Sequence, residues 1–183
     1  HDARFTQDDV NTGGKTLFVL GVEDFAMLFK EPIGGLDDWK GLNLRAPTKS
    51  TQAVVQGMGA NPVTVQVSEM YEALQRGTID GTSGTITGMI GNKWHEVAPW
   101  LCDWRFGVLW DISPMMSLPT WEGLHPADQK LMLDIGEKCM LDFTVQVKTN
   151  LAAAPALLEA MGGGVITIPE SDKAAAKDRL WPI

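Results

Sequence analysis

Positive charge is scarce in this sequence of 183 residues, where 15 Lys and Arg stand against 23 Asp and Glu and give a formal net charge of −8 at pH 7. Nucleic-acid binding needs a concentrated positive surface, so this balance argues against nucleic acid as a partner. The same charge repels an anionic small ligand at long range. A site for such a ligand would therefore need its own buried cation.

Long apolar runs are missing as well. No stretch approaches the ~20 consecutive apolar residues that a membrane-spanning helix needs. The first residues, 1–4 (HDAR), contain neither an initiator Met nor the apolar core of a signal peptide. We therefore expect either that a signal has been removed or that the chain is a fragment.

Residues that carry metal or nucleophile chemistry are few. The two cysteines, Cys102 and Cys139, match no CxxC spacing, so they indicate two separately buried thiols or, in an exported protein, a disulfide. The three histidines form no HExxH or zinc pattern, and no GxSxG nucleophile elbow is present. We therefore expect no metal site, no cofactor and no catalytic residue, and predict that the protein is not an enzyme.

Strand and helix patterns alternate along the first half of the chain. The strand patterns lie at residues 15–22, 42–46 and 63–67, and the helix patterns at 50–58 and 69–76. Ser50 and Ser68 are the predicted N-caps, and Gly77 is the predicted end of the second helix. This order predicts an α/β fold with a mainly parallel sheet.

The second half of the chain has a different pattern. Residues 104–110 and 112–118 have strand character, and 126–161 form one long helical pattern. A straight helix of that length would run roughly 50 Å, which exceeds the ~40 Å width of a compact chain of this size. We therefore predict a long bent helix with its break near Pro155, which removes a hydrogen-bond donor from the helix.

Arg45 is the best candidate for the cation that an acid-binding site would need. Strand alternation turns its side chain away from Leu44 and Ala46, at the end of a strand before Pro47. Its guanidinium offers a planar fork that matches a carboxylate with two parallel hydrogen bonds. The alternative is an ordinary surface charge.

Two further features are candidate ligand contacts. Residues 80–85 (DGTSGT) read as a strand tip that enters a polar turn and opens a helix, so that the amides around Thr82, Gly84 and Thr85 could hold an anion. A simple capping turn is the alternative. Trp110, at a strand end that leads into an irregular turn, is the tryptophan most suited to line a pocket.

Four short segments form a specific pattern, within a similarity that runs from about residue 36 to residue 179. They are 39–47 (WKGLNLRAP), 58–63 (MGANPV), 68–81 (SEMYEALQRGTIDG) and 93–97 (KWHEV). In order and spacing they resemble the motifs D-x-K-G-x-K-x-R-x-P, L-G-A-x-P-V, S-E-x-Y-x-A-L-Q-x-G-x-x-D-G and K-x-x-E-V of the DctP-type solute-binding proteins of TRAP transporters. The third motif is the most specific.

The resemblance implies a secreted, periplasmic protein with two α/β lobes joined by strands and a long bent helix. Such a protein captures a small organic acid, a carboxylate, and delivers it to the TRAP membrane permease subunits. The family's carboxylate-binding arginine falls on Arg45, and a second, less universal arginine falls near Phe25. Where the family commonly has a contacting Asn, this sequence has Gly84. These two departures indicate a more apolar or aromatic acid.

The resemblance also divides the chain. The expected parts are a crossing segment from the first lobe (1–35), the second α/β lobe (36–104), crossing strands (105–125), the long bent helix (126–161) and the start of the C-terminal region (162–183). Relative to the family the chain is short at both ends. A fragment of this kind would expose apolar surface meant for the absent lobe, which leaves a homodimer open.

Three functions compete at this point. Delivery of an organic acid to a transporter is the prediction. A periplasmic sensory module, which would signal through a partner protein, has the same site chemistry and is the alternative. A periplasmic α/β enzyme would need an acid–base or nucleophile constellation, and the sequence offers none.

Overall fold

The computed structural model of the protein describes residues 13–21, 23–105 and 112–180. The chain divides into two units. The smaller contains His1–Val22 and Val108–Thr149, and the larger contains Glu23–Gly107 and Asn150–Ile183. None of the helices among the described residues has the length and apolar character needed to cross a membrane.

The described residues contain eight strands, which form one sheet of two strands and one of six. In chain order they are β1 (Gly14–Thr16), β2 (Ala26–Phe29), β3 (Asn43–Arg45), β4 (Asn61–Val63), β5 (Gly81–Gly84), β6 (Trp100–Cys102), β7 (Met115–Ser117) and β8 (Gly164–Ile166). The same residues contain six α-helices, which are α1 (Lys49–Gly57), α2 (Met70–Arg76), α3 (Ile86–Gly91), α4 (Leu118–Glu122), α5 (Pro126–Ala160) and α6 (Glu170–Leu180).

The smaller unit contains the two-stranded sheet, in which β1 and β7 pair antiparallel. An isolated bridge between Leu20 and Ile112 continues this pairing. Gly136 of α5 is buried against Phe18, and a methyl group at Gly136 would lie 2.7 Å from Cδ1 of that ring. The bare backbone of Gly136 therefore allows the close approach of Phe18 to the helix.

The larger unit is built on the six-stranded sheet, in the order β4-β3-β5-β2-β6-β8. Three of its five pairings are parallel, and the other two, both made by β2, are antiparallel. The predicted α/β fold with a mainly parallel sheet is confirmed. The antiparallel insertion of β2 between β5 and β6 was not predicted.

Helices cover both faces of the six-stranded sheet, so β2 is buried on both sides. Met27 and Phe29 face one apolar cluster, which includes residues of α1 and α6, and Ala26 and Leu28 face the other, which includes residues of α2 and α3. In the first cluster the ring of Trp39 meets Phe29 edge-on, with centroids 5.3 Å apart. Burial of aromatic and aliphatic side chains on both faces is the main stabilising term for such a sheet.

Several predicted boundaries shift. The strand predicted over 15–22 is shorter, since β1 covers only Gly14–Thr16. The strand predicted over 63–67 lies earlier, as β4, and Val67–Glu69 form a 3-10 turn instead. Local polar contacts account for the second shift, because the backbone N–H of Glu69 donates to Gln66 O at 3.0 Å.

The helix caps are partly as predicted. The N-cap of α1 is Thr48 and not Ser50, because Thr48 and Thr51 form a reciprocal capping box. Ser68 is not the cap of α2, whose N-cap is Glu69 without a side-chain hydrogen bond. The predicted end at Gly77 is confirmed by its left-handed φ of 74°, a conformation that glycine adopts at low cost.

The long helix predicted over 126–161 is present as α5, which has 35 residues and contains Pro155. Its bend at Pro155 and the assignment of lobes and crossing segments stay predictions. The strand predicted over 112–118 is present in part, as β7, and Leu118 already begins α4. Of the strand predicted over 104–110, residues 106–110 lie outside the described residues, and Trp110 is one of them.

Candidate functional site

The candidate site lies at one edge of the six-stranded sheet, where β3 and β5 both end. These two strands are adjacent and parallel, and Arg45, the last residue of β3, pairs with Thr82 of β5. β2 runs antiparallel to β5, so that its first residue, Ala26, pairs with Gly84, the last residue of β5. The chain entering β2 therefore lies at the same edge. Ligands of open α/β sheets bind beyond the carboxyl ends of the strands.

Arg45 is held at this edge by its own backbone and by one side-chain hydrogen bond. Its side chain is half-buried, and its Nε donates to the carbonyl oxygen of Val65 at 2.9 Å. Burial lowers the pKa of the guanidinium from its usual value, although an arginine stays protonated under physiological conditions. The ion pairs found among the described residues do not include Arg45. Its Nη1 and Nη2 groups therefore suit an external carboxylate.

The polar segment 80–85 is not the turn that was predicted. Gly81–Gly84 form strand β5, in the middle of the sheet. Small residues fit this strand because its neighbours are large. A methyl group at Gly84 would lie 3.3 Å from the Trp94 ring and 3.5 Å from Met89 Cε. Thr82 is fully buried and donates to Ser83 O at 3.1 Å.

The other predicted contacts that fall within the described residues, Thr85 and Phe25, lie at the same edge of the sheet. Thr85 is the N-cap of α3, and its hydroxyl accepts from the backbone N–H of Gly88 at 3.1 Å. Phe25 is buried directly before β2. The structure thus brings Arg45, Thr82, Gly84, Thr85 and Phe25 to one end of three neighbouring strands. Their roles in ligand binding stay predictions.

Glu23 is a charged residue of this edge that the sequence did not reveal. Its Oε1 accepts a hydrogen bond from the backbone N–H of Thr87, near the start of α3, at 2.6 Å. Its Oε2 and the Oγ1 of Thr87 are buried and have no hydrogen-bond partner among the residues that the structure describes. A single Glu before an apolar run carries no motif, so no pattern in the sequence marks it.

The two cysteines differ in environment. Both thiols are free, Cys102 buried in β6 and Cys139 exposed on α5, so the prediction of two buried thiols is wrong for Cys139. Burial raises the pKa of the Cys102 thiol to about 11. Within the described ranges no three His, Cys, Asp or Glu side chains are grouped so as to hold a metal ion.

A thiol-labelling experiment tests this difference. Because the thiolate is the reactive form, we expect Ellman's reagent at about pH 8 to modify Cys139 in the folded protein and Cys102 only after unfolding. The Cys139→Ser variant should then show no rapidly reacting thiol. Rapid modification of Cys102 in that variant would contradict its burial.

The family of the chain is shown by a family model that matches most of its sequence. The family model for bacterial extracellular solute-binding protein, family 7 (DctP) matches residues 15–183. The chain belongs to this family. Among curated DctP relatives, the C4-dicarboxylate-binding periplasmic protein DctP of Rhodobacter capsulatus is 29% identical over 158 residues, which cover 83% of this chain and 46% of the relative. The chain thus spans about half the length of the curated relatives it matches.

Solved structures share the fold of this DctP-family chain. A TRAP periplasmic solute-binding protein from Shewanella oneidensis with bound succinate aligns with a TM-score of 0.82 at 21% identity, over 100% of this chain and 61% of that one. Another, from Desulfovibrio salexigens with bound orotic acid, aligns with a TM-score of 0.81 at 22% identity, over 98% of this chain and 58% of that one. This likeness confirms the α/β fold with a central sheet and a long helix.

Proposed function

We propose that the protein is an extracytoplasmic solute-binding protein of the periplasm, which captures a small organic acid and delivers it to a TRAP-type membrane transporter. The observation that carries this proposal is the guanidinium of Arg45. It is half-buried at the edge of the sheet formed by the carboxyl ends of β3 and β5, where open α/β sheets generally bind their ligands, and its Nε is fixed by the hydrogen bond to Val65 O. Family membership supports the same function.

The electrostatics of the chain favour a carboxylate at Arg45. A partly desolvated guanidinium attracts an anion more strongly than one in bulk water, because the local dielectric is lower. A carboxylate can accept two parallel hydrogen bonds from Nη1 and Nη2 while Nε keeps its bond to Val65. Since the net charge of −8 opposes anion binding at long range, the site needs a local positive group, and Arg45 is the candidate for it.

The other predicted contacts complete the proposed site. Phe25 would provide an apolar wall beside β2, and Trp110 would provide an aromatic one. Thr82, Gly84 and Thr85 would shape the end of β5, mainly through their backbone. The Rhodobacter capsulatus relative is named for binding C4-dicarboxylates, and the Shewanella oneidensis neighbour holds succinate. These ligands support a carboxylate as the substrate class, and no observation favours the sensory alternative.

Native mass spectrometry of the protein in its full natural length, purified without added ligand, tests this function. We expect one small carboxylic acid to be retained and to be released with unchanged mass. A labelled sample of that acid should also be recovered intact after long incubation. Retention of a solute without a carboxylate would contradict the proposal, and steady conversion of the acid would favour an enzyme.

A further inference from the structure

The candidate site has a second charged group, Glu23, placed opposite Arg45. Arg45 ends β3 on one side of β5, and Glu23 leads into β2 on the other side. The hydrogen bond from Thr87 N–H to Glu23 Oε1 fixes the carboxylate beyond the end of β5. Since neighbouring strands are ~4.8 Å apart, β3 and β2 are separated by roughly 10 Å. A positive and a negative group thus flank the end of the same strand.

One oxygen of the Glu23 carboxylate makes no hydrogen bond to the described residues. Oε2 is buried, as is the hydroxyl oxygen of Thr87, and neither has a hydrogen-bond partner among the described residues. Buried polar atoms nearly always find a partner, because they lose their bonds to water without replacement otherwise. The two atoms together offer a charged acceptor and a hydroxyl that can accept or donate.

The charge of Glu23 determines which chemical group of a ligand can bind beside its carboxylate. An ionised carboxylate only accepts hydrogen bonds, so it selects an N–H or O–H group. A cationic N–H group gains charge attraction in addition. A second carboxylate, as in a C4-dicarboxylate, would be repelled, and no ion pair found among the described residues neutralises Glu23.

We propose that Glu23 and Thr87 form a subsite for a hydrogen-bond-donating group of the ligand, preferably an ammonium. The proposal rests on the proposed function, in which Arg45 binds the carboxylate of the same ligand. The substrate is then an organic acid that carries an N–H or O–H group at its other end, such as an ω-amino acid. A simple dicarboxylate is a poor substrate.

Three probes of similar length test the subsite by calorimetry on the protein in its full natural length. Succinate, succinamate and 4-aminobutanoate share a carboxylate and two methylenes, and their other ends are a carboxylate, a neutral amide and a positively charged ammoniomethyl group. We expect the wild-type protein to bind the best donor-bearing probe at least about tenfold more tightly than succinate. The order of succinamate and 4-aminobutanoate distinguishes a neutral donor from a cationic one.

The Glu23→Gln variant removes the charge and keeps the shape of the side chain. We expect it to shift the ratio of 4-aminobutanoate to succinate affinity towards succinate by roughly tenfold to a hundredfold. Asp24→Asn is the matched control, since it makes the same change of charge at the neighbouring, exposed residue. In that control the ratio should stay within about twofold of wild type, because exposed charges are screened.

Several results would overturn the subsite. They are a wild-type preference for succinate over both other probes, an unchanged ratio in a folded Glu23→Gln protein, and an equal shift in Asp24→Asn. If no probe binds, the subsite is tested by the acid that is retained in native mass spectrometry. An acid without an N–H or O–H group beyond its carboxyl contradicts the proposal. A shifted ratio in Glu23→Gln with unchanged affinity in Arg45→Ala would instead refute the role of Arg45 and leave the subsite standing.

Discussion

Replacing Arg45 with alanine is expected to weaken binding of the organic acid by roughly 30-fold to a few thousand-fold. The variant leaves the ligand carboxylate partly buried and without its cation, and truncation of one side of such a pair typically costs about 2–5 kcal/mol. The hydrogen bond from Nε to Val65 O fixes the side chain before the ligand arrives. Little conformational entropy is therefore lost on binding, which favours the upper part of the range. Isothermal titration calorimetry measures the effect.

Two further variants separate the guanidinium geometry from the charge. Arg45→Lys should recover only part of the affinity, because an ammonium cannot make two parallel hydrogen bonds to a carboxylate. Arg76→Ala removes the same charge from an exposed pair with Glu72, in which both side chains are more than half exposed. It should change the affinity by less than about twofold. An Arg45→Ala protein that binds its acid within about threefold of wild type would refute the assignment.

Elements with strong local signals were predictable from the sequence. Leu44 lies in the core and Arg45 at the edge, as alternation along β3 requires. Gly77 ends α2 because its left-handed conformation suits glycine. The long helix α5 was predictable because its helical pattern continues over many turns, through Pro155, up to the glycines at 162–164. In each case the deciding information lies in the sequence of the element itself and of its two ends.

Elements that depend on distant partners were not predictable. β2 is buried on both faces, so it lacks the alternation that marks a strand with one solvent-facing side. β5 consists of small and polar residues that look like a turn, and they are explained by large neighbours that are distant in the sequence, such as Phe29 on β2, Leu44 on β3 and Trp94. Glu23 is positioned by a hydrogen bond from the backbone N–H of Thr87, which lies 64 residues further along the chain. Contacts of this kind produce no periodic pattern in the sequence.

Gly81, the first residue of β5, is tightly packed between β2 and β3. It pairs with Phe29 on one side and with Leu44 on the other. A methyl group at Gly81 would lie 2.7 Å from Leu28 O, 3.0 Å from Leu44 Cδ2 and 3.0 Å from Phe29 Cδ1. The two side chains could rotate away, but the carbonyl oxygen of Leu28 belongs to the backbone of β2. Relief of the contact therefore requires movement of the sheet.

The Gly81→Ala variant is therefore expected to lose about 3 kcal/mol of unfolding free energy, at the upper end of what overpacking usually costs. For a chain of this size that corresponds to a fall in Tm of roughly 6–12 °C, measured by thermal denaturation followed by circular dichroism. Acid binding should also weaken, because Thr82, the partner of Arg45, is the next residue.

Gly91→Ala is the matched control, since a methyl group there meets no atom within 4 Å. It should be neutral or stabilising by up to ~1 kcal/mol, because alanine favours the helix. Equal stability of the two variants would show that β2 and β5 can separate without cost, and that the spacing of these strands does not hold Arg45 in place.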